Sequence, residues 1–277
     1  MPTFTNKATL SYNGRTTESN TVTGNFTETL SMTKTALLGS YTAGSTVVYV
    51  VSLVNAGVTP ASGLTVTDDL GGYTVGTETV YPLDYVEGSV AYYVGGVLQP
   101  PPTAEAGAPL VISGINVPAN SNAILVYEAQ VNGNAPLDAQ SMITNTATVG
   151  ELTASATVST VDEPDLTISK ALCPTNVVEN GALTYTFVIQ NAGNTAADAT
   201  DNVVVTDIFD PILTITSVTL DGTPLELDTG YTYDQATGTF VTAEGAITVP
   251  AATYTQQADG SFVTTPGFTT LVVTGTI

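Results

Sequence analysis

Of 277 residues only 10 % are charged, and 25 acidic against 4 basic side chains give a net charge of −21; nucleic acid and anionic lipid both need Lys and Arg to neutralise phosphate, so neither is an expected partner. No apolar run approaches the roughly 18 residues of a membrane span, and no basic segment precedes an apolar stretch as in a secretory signal. The length allows two domains, the Val, Ala, Leu, Ile and Thr content is that of β-sheet, and the absence of His and Trp excludes Ser-His-Asp and zinc-hydrolase centres, so neither turnover of a substrate nor a cofactor is expected.

In chain order, Phe4-Thr5-Asn6-Lys7-Ala8-Thr9-Leu10 is apolar at 4, 8 and 10 with Asn6 in the same phase, the pattern of a half-buried strand. Asn13-Gly14 suits a type I′ hairpin turn, after which Ser19-Asn20-Thr21-Val22 returns. Strand patterns follow at Leu30–Lys34, Thr46–Gly57, Leu64–Leu70, Ser89–Val94, Ile124–Val131 and Ile143–Val149, each bounded by Gly, Pro, Asn or Asp. After the hairpin partner Ala154–Val158 and a linker with Pro164, the order begins again with Leu166–Lys170, Leu183–Gly193, Val203–Asp207 and Leu271–Ile277. Lys34 to Asn55 and Lys170 to Asn191 are both 21 apart, so the repeat is in register. The expected fold is all-β: two tandem Ig-like antiparallel β-sandwiches with an N-terminal donor hairpin.

Ile143-Thr144-Asn145-Thr146-Ala147-Thr148-Val149 is a near copy of the chain's opening strand, and Val22 to Lys34 spans the same 12 positions as Val158 to Lys170. The expected organisation is therefore a donor hairpin over 1–24, a linker over 25–29, a first Ig-like domain over 30–161, a linker over 162–165 and a second domain over 166–277 that lacks its final hairpin. A sandwich without those strands has an open apolar groove and an unpaired edge, which invites strand addition from another copy. The joint between subunits would then copy the joint between domains, a heterologous contact that does not close and so makes a head-to-tail filament.

The signatures Leu166–Lys170, Tyr185–Gly193, Val205-Thr206-Asp207 and Asn145–Val149 resemble the bacterial surface repeat catalogued as domain of unknown function eleven. That resemblance implies Ig-like repeats on an extracellular bacterial cell or spore surface, in pilus-like or spore appendage-like structures, without catalysis on substrates. The alternatives are a surface adhesin, with Tyr92-Tyr93 to Pro102 and the insert Thr253 to Phe268 as ligand-bearing loops, and a stalk fragment of a longer repeat protein.

One constellation carries candidate chemistry. Lys34 and Lys170 occupy equivalent positions on the inward phase, as do Asp68 and Asp207, while Asn145 and Asn6 lie between apolar neighbours of their strands. Buried Lys, Asp and Asn have to be paired. One reading is a buried ion pair with an Asn hydrogen bond. The other is an isopeptide bond of the kind known in pilin-like Ig domains, in which burial leaves a neutral amine to attack the Asn amide while Asp68 or Asp207 promotes the step. Lys34 and Asn145 would close a bond inside domain 1, and Lys170 would reach Asn6 of the next subunit. Cys173, aligned with Leu37, is read as a buried small hydrophobe rather than an intersubunit disulfide. Asp198, Asp201 and Asp210 lack the order of a Ca²⁺ loop, so no metal is expected. The insert Thr253 to Phe268 is expected as an exposed hairpin or loop on the outside of the filament.

Overall fold

The computed structural model describes residues 3–25 and 29–277, so 26–28 of the linker expected at 25–29, and the first two residues of the donor segment, lie outside the described residues. A hairpin comes first: β1 (Thr3–Asn6), β2 (Thr9–Tyr12), β3 (Arg15–Glu18) and β4 (Val22–Asn25). The first sandwich opens with β5 (Leu30–Ala36), β6 (Ser40–Tyr41), β7 (Thr46–Asn55) and β8 (Ala61–Asp68), and continues through β9 (Tyr73–Val75), β10 (Glu78–Val80), β11 (Leu83–Tyr85), β12 (Ala91–Val94), β13 (Val97–Gln99) and β14 (Thr103–Glu105). It closes with β15 (Leu110–Val117), β16 (Ser121–Val131), β17 (Met142–Val149) and β18 (Leu152–Thr160). The second contains β19 (Leu166–Cys173), β20 (Ala182–Asn191), a 3₁₀ turn (Ala199–Asp201), β21 (Thr206–Ile208), β22 (Thr214–Leu220), β23 (Thr223–Pro224), β24 (Tyr231–Asp234), β25 (Thr239–Thr242), β26 (Thr253–Gln256), β27 (Phe262–Thr265) and β28 (Gly267–Thr276).

In the first sandwich the sheet β13-β12-β16-β7-β5 faces the sheet β14-β15-β8-β17-β18-β6. Strict alternation drives this packing: Val47, Tyr49, Val51 and Leu53 of β7 and Ala123, Leu125, Tyr127 and Ala129 of β16 all point into one core, against Val66, Ile112, Ile143, Ala147 and Val158 from the other layer. The pairing is antiparallel except where β18 meets β6. In the second sandwich β19-β20-β28-β22-β23 faces only β21-β25-β24, around Phe187, Ile189, Phe209, Phe240, Leu271 and Val273. The fold is all-β and Ig-like, as expected. β15, β22, β24 and β25 add strands that the apolar patterning did not outline.

Each sandwich has the same socket for the segment that enters it. Asn55 accepts from the Gly57 amide at 2.9 Å and donates to the Thr59 carbonyl, and Ala56 N–H donates to the Thr29 carbonyl at 2.8 Å. Asn191 repeats this with Gly193 and Thr195, and Ala192 N–H donates to Asp165. The entering chain lies so close that a Cβ on Gly193 would sit 2.2 Å from the Glu163 carbonyl oxygen and 2.7 Å from Pro164 Cα. Those atoms are backbone and cannot yield cheaply, so Gly193→Ala should destabilise the second sandwich by about 1–3 kcal/mol. A thermal melt checks it; an unchanged second transition would mean that the linker is not seated there.

The insert forms a hairpin, β26–β27, but it is not a free outer loop. Phe262 N–H donates to the Gly133 carbonyl at 2.8 Å, Gln256 Nε2 donates to the Tyr73 hydroxyl at 2.9 Å, and Gly260 lies against the Val80 side chain. The hairpin therefore braces the second sandwich on the first. No sequence pattern marks a contact whose two sides are so far apart in the chain.

Candidate functional site

The first centre lies between the layers of the first sandwich. β5 pairs with β7, and β8 with β17 so that Asp68 stands opposite Ala147; the inward phases then carry Lys34, Asp68 and Asn145 to one place. Lys34 Nζ is 2.5 Å from Asp68 Oδ2, with both side chains fully buried. The Tyr127 hydroxyl donates a short hydrogen bond to the same oxygen, and Asp68 Oδ1 accepts from the Leu70 amide at 3.1 Å. The amine also sits 4.7 Å from the centre of the Tyr49 ring. Burial pulls the Lys34 pKa down despite the attraction of Asp68, and pushes the Tyr127 hydroxyl well up, with the Asp68 charge adding to it.

Asn145 is the discordant member. It is wholly buried beside the Tyr49 and Tyr127 hydroxyls, which its amide faces and stabilises as partners, but no contact of its Nδ2 or Oδ1, or of the Tyr49 hydroxyl, reaches good hydrogen-bond geometry. Leaving a buried amide unsatisfied costs about 1–3 kcal/mol. Its loose polar contacts leave the amide carbon open to a nucleophile, and the Lys34 amine lies over the same Tyr49 ring. A condensation here would form the Lys34 Nζ–Asn145 Cγ bond and break the Cγ–Nδ2 bond, with Nδ2 leaving as ammonia after taking one proton from the neutral amine by way of Asp68.

The second centre is half of the first. Lys170 Nζ meets Asp207 Oδ2 in a short ion pair, with the Tyr185 ring 4.4 Å below the amine. Here the Lys170 side chain is 40 % exposed, against complete burial of Lys34. Tyr185 aligns with Tyr49, but Val273 stands where Tyr127 would be, each opposite its counterpart across the ladder. The edge of β21 opposite β25 carries no strand among the described residues, whereas β8 has β15 on one side and β17 on the other. In the first sandwich β18 lies against β5; without its like, Ile168, Lys170 and Leu172 of β19 are exposed. Cys173 is exposed, which corrects the reading of it as a buried hydrophobe: it lies on the phase opposite Lys170, and its counterpart Leu37 is 63 % exposed even in the first sandwich.

Asn6 is on the hairpin and is not brought to Lys170 within the chain. β1 pairs with β4 and β2 with β3, around a turn in which Asn13 and Gly14 both take positive φ as type I′ requires. Phe4, Leu10, Tyr12 and Val22 are all about half exposed, so the hairpin displays its apolar face to solvent. Phe4 lies over Gly24 across the ladder.

No family model and no curated protein matches the chain, so the resemblance to the surface repeat rests on the residue signatures alone. Among solved structures, the chain is similar to the pilus backbone RrgB from Streptococcus pneumoniae at 12 % identity, covering 90 % of this chain and 50 % of that one, with a TM-score of 0.34. It is also similar to BcpA, the major pilin subunit of Bacillus cereus, at 10 % identity over 90 % of this chain and 70 % of that one, TM-score 0.35. The C-terminal domain of the Streptococcus agalactiae AgI/II polypeptide BspA gives 14 %, 89 %, 91 % and 0.32 in the same order. The chain thus spans half the length of the pneumococcal protein. Likeness at this level is one of general β architecture, and what the two centres do has to follow from their own geometry.

Proposed function

We propose that this protein is the structural subunit of an extracellular bacterial filament, assembled head to tail by strand donation and locked by isopeptide bonds, and that it turns over no substrate. The observation that carries the reading is the match between an exposed apolar hairpin and an open edge in the same chain. Phe4, Asn6, Ala8 and Leu10 repeat the phase of Ile143, Asn145, Ala147 and Val149, which fill the equivalent place in the first sandwich. Seated in a neighbouring copy in the register that β17 keeps with β8, the hairpin sets Ala8 opposite Asp207 and Asn6 toward Lys170. It would cover Ile168 and Leu172 and take Lys170 out of water, the condition under which its amine becomes a nucleophile. The isolated Lys170–Asp207 pair is thus held inert until a correctly registered strand arrives.

Deleting residues 1–24 tests this. The truncated protein should remain monomeric in sedimentation and microscopy under conditions in which the full chain forms filaments, and an added peptide spanning 1–24 should bind it. Filaments of normal appearance from the truncated chain would contradict strand donation.

A further inference from the structure

Resting on that reading, a second contact at the joint follows from comparing the two ends of the hairpin's path. In the first sandwich Ala61 bridges to Val117 and Leu64 to Ile115. In the second, Ala197 bridges to Val249 and Val203 to Ile247, with Pro118 and Pro250 following in equivalent places. Residues 198–202 therefore stand where the first sandwich has only Ser62 and Gly63. The extra residues make the 3₁₀ turn, which carries its own capping box: Asp198 accepts from Thr200, and Asp201 accepts from the Asp198 amide. Both carboxylates are exposed, in the turn that precedes Val203 on the chain leading into β21.

The hairpin differs from β17–β18 in the matching way. Its first arm runs from Asn6 to Tyr12 before the turn, whereas the equivalent arm runs from Asn145 to Val149, so the donor tip reaches further by two residues, roughly 7 Å. An even difference keeps the same side chains inward. Extending the ladder from Ala8 opposite Asp207 sets Tyr12 level with Val203 and the Asn13-Gly14 turn level with Asn202, so the tip, with Arg15 across from Tyr12 on the return arm, arrives at the level of the acidic turn, within the reach of a long Arg side chain. Charge follows the same logic. Two of the four basic residues, Lys7 and Arg15, are in the hairpin; Lys7 pairs with Glu18, and Arg15 makes no ion pair among the described residues. The tip of the internal hairpin is instead Gly150-Glu151, and Ser62-Gly63, which stand in place of the acidic turn there, carry no carboxylate.

We propose that the hairpin tip of one copy docks on the acidic turn 198–202 of another, with Arg15 between Asp198 and Asp201, as a register check made before the strand is locked. The turn attracts this tip and repels an acidic one such as Gly150-Glu151, so it selects the intersubunit hairpin over the internal kind. Because the groups lie at the rim, the effect falls on the rate of docking and is screened by salt.

The test compares polymerisation rates of full-length chains. Arg15→Glu, an exposed tip substitution, should slow filament growth by about 3–10-fold at low salt, with the gap closing above about 0.5 M salt. Adding Asp198→Lys and Asp201→Lys in the same chain should restore most of the rate. Wild-type growth by Arg15→Glu, or slow growth that the reversed turn does not rescue, would overturn the tip contact while leaving strand donation intact. A wild-type chain that never polymerises would overturn both, and circular dichroism of each variant separates a docking defect from a folding one.

Discussion

Replacing Asn145 with Ala should lower the unfolding temperature of the first sandwich by on the order of 15 °C, because the proposed staple from Lys34 to Asn145 would close most of the domain into one loop; the loop-entropy argument used for disulfides puts such a closure at roughly 4–5 kcal/mol. The two readings of the centre give effects of different size for this variant, and different masses. If Lys34, Asp68, Tyr127 and Asn145 are only a hydrogen-bonded cluster, the variant loses the contacts of Asn145 with Tyr49 and Tyr127, about 1–3 kcal/mol, and the melting temperature falls by only a few degrees. If the bond forms, the wild type is lighter than its sequence by one ammonia and the variant is not. A mass spectrum and a melt on the same two samples decide it. Lys34→Ala is the poorer probe, since it leaves Asp68 charged and buried without its partner, a loss that destabilises under either reading.

The second large effect is expected at the joint. Lys170→Ala and Asn6→Ala should each turn a polymer that survives boiling in detergent into one that falls to monomer, without abolishing filament growth, because the apolar face of the hairpin still seats. Asn6 is exposed on the hairpin and Lys170 is half in water, so neither substitution should unfold the free chain. Filaments from either variant that resist boiling as the wild type does would show that these atoms do not hold the joint. Wild-type filaments that boil down to a single band would show that strand pairing alone does.

Most of the first centre was legible because three independent regularities pointed to it: a period of two that put Lys34, Asp68 and Asn145 inward, a repeat that placed Lys170 and Asp207 in the same phase, and a scarcity of lysine that made the coincidence noticeable. Tyr127 and Tyr49 were not picked out, since a Tyr on the inward phase of a long strand looks like any other core aromatic; only the carboxylate at its hydroxyl distinguishes Tyr127. β15 was missed because Pro and Gly crowd the stretch before Leu110, and β22, β24 and β25 because Thr and Asp interrupt their apolar runs. Cys173 reads as buried from its alignment with Leu37, whereas Lys170 is expected to be covered only once a donor strand docks. For Cys173 the alignment misleads because Leu37 is itself exposed at 63 %; for Lys170 the exposure follows from β19 having no covering strand. The brace between β26–β27 and the first sandwich depends on three-dimensional closure alone.

The most direct measurement mixes isotopically light and heavy subunits, lets them polymerise, boils and digests the product, and looks for a peptide joining Lys170 to Asn6. Strand donation with locking predicts that linked peptide with the loss of one ammonia, and predicts mixed light–heavy pairs in the proportion of random neighbours, since the two residues come from different copies. Linked peptides found only as light–light and heavy–heavy would place the bond within one chain, and their complete absence from filaments that resist boiling would place the lock elsewhere; either result contradicts the account.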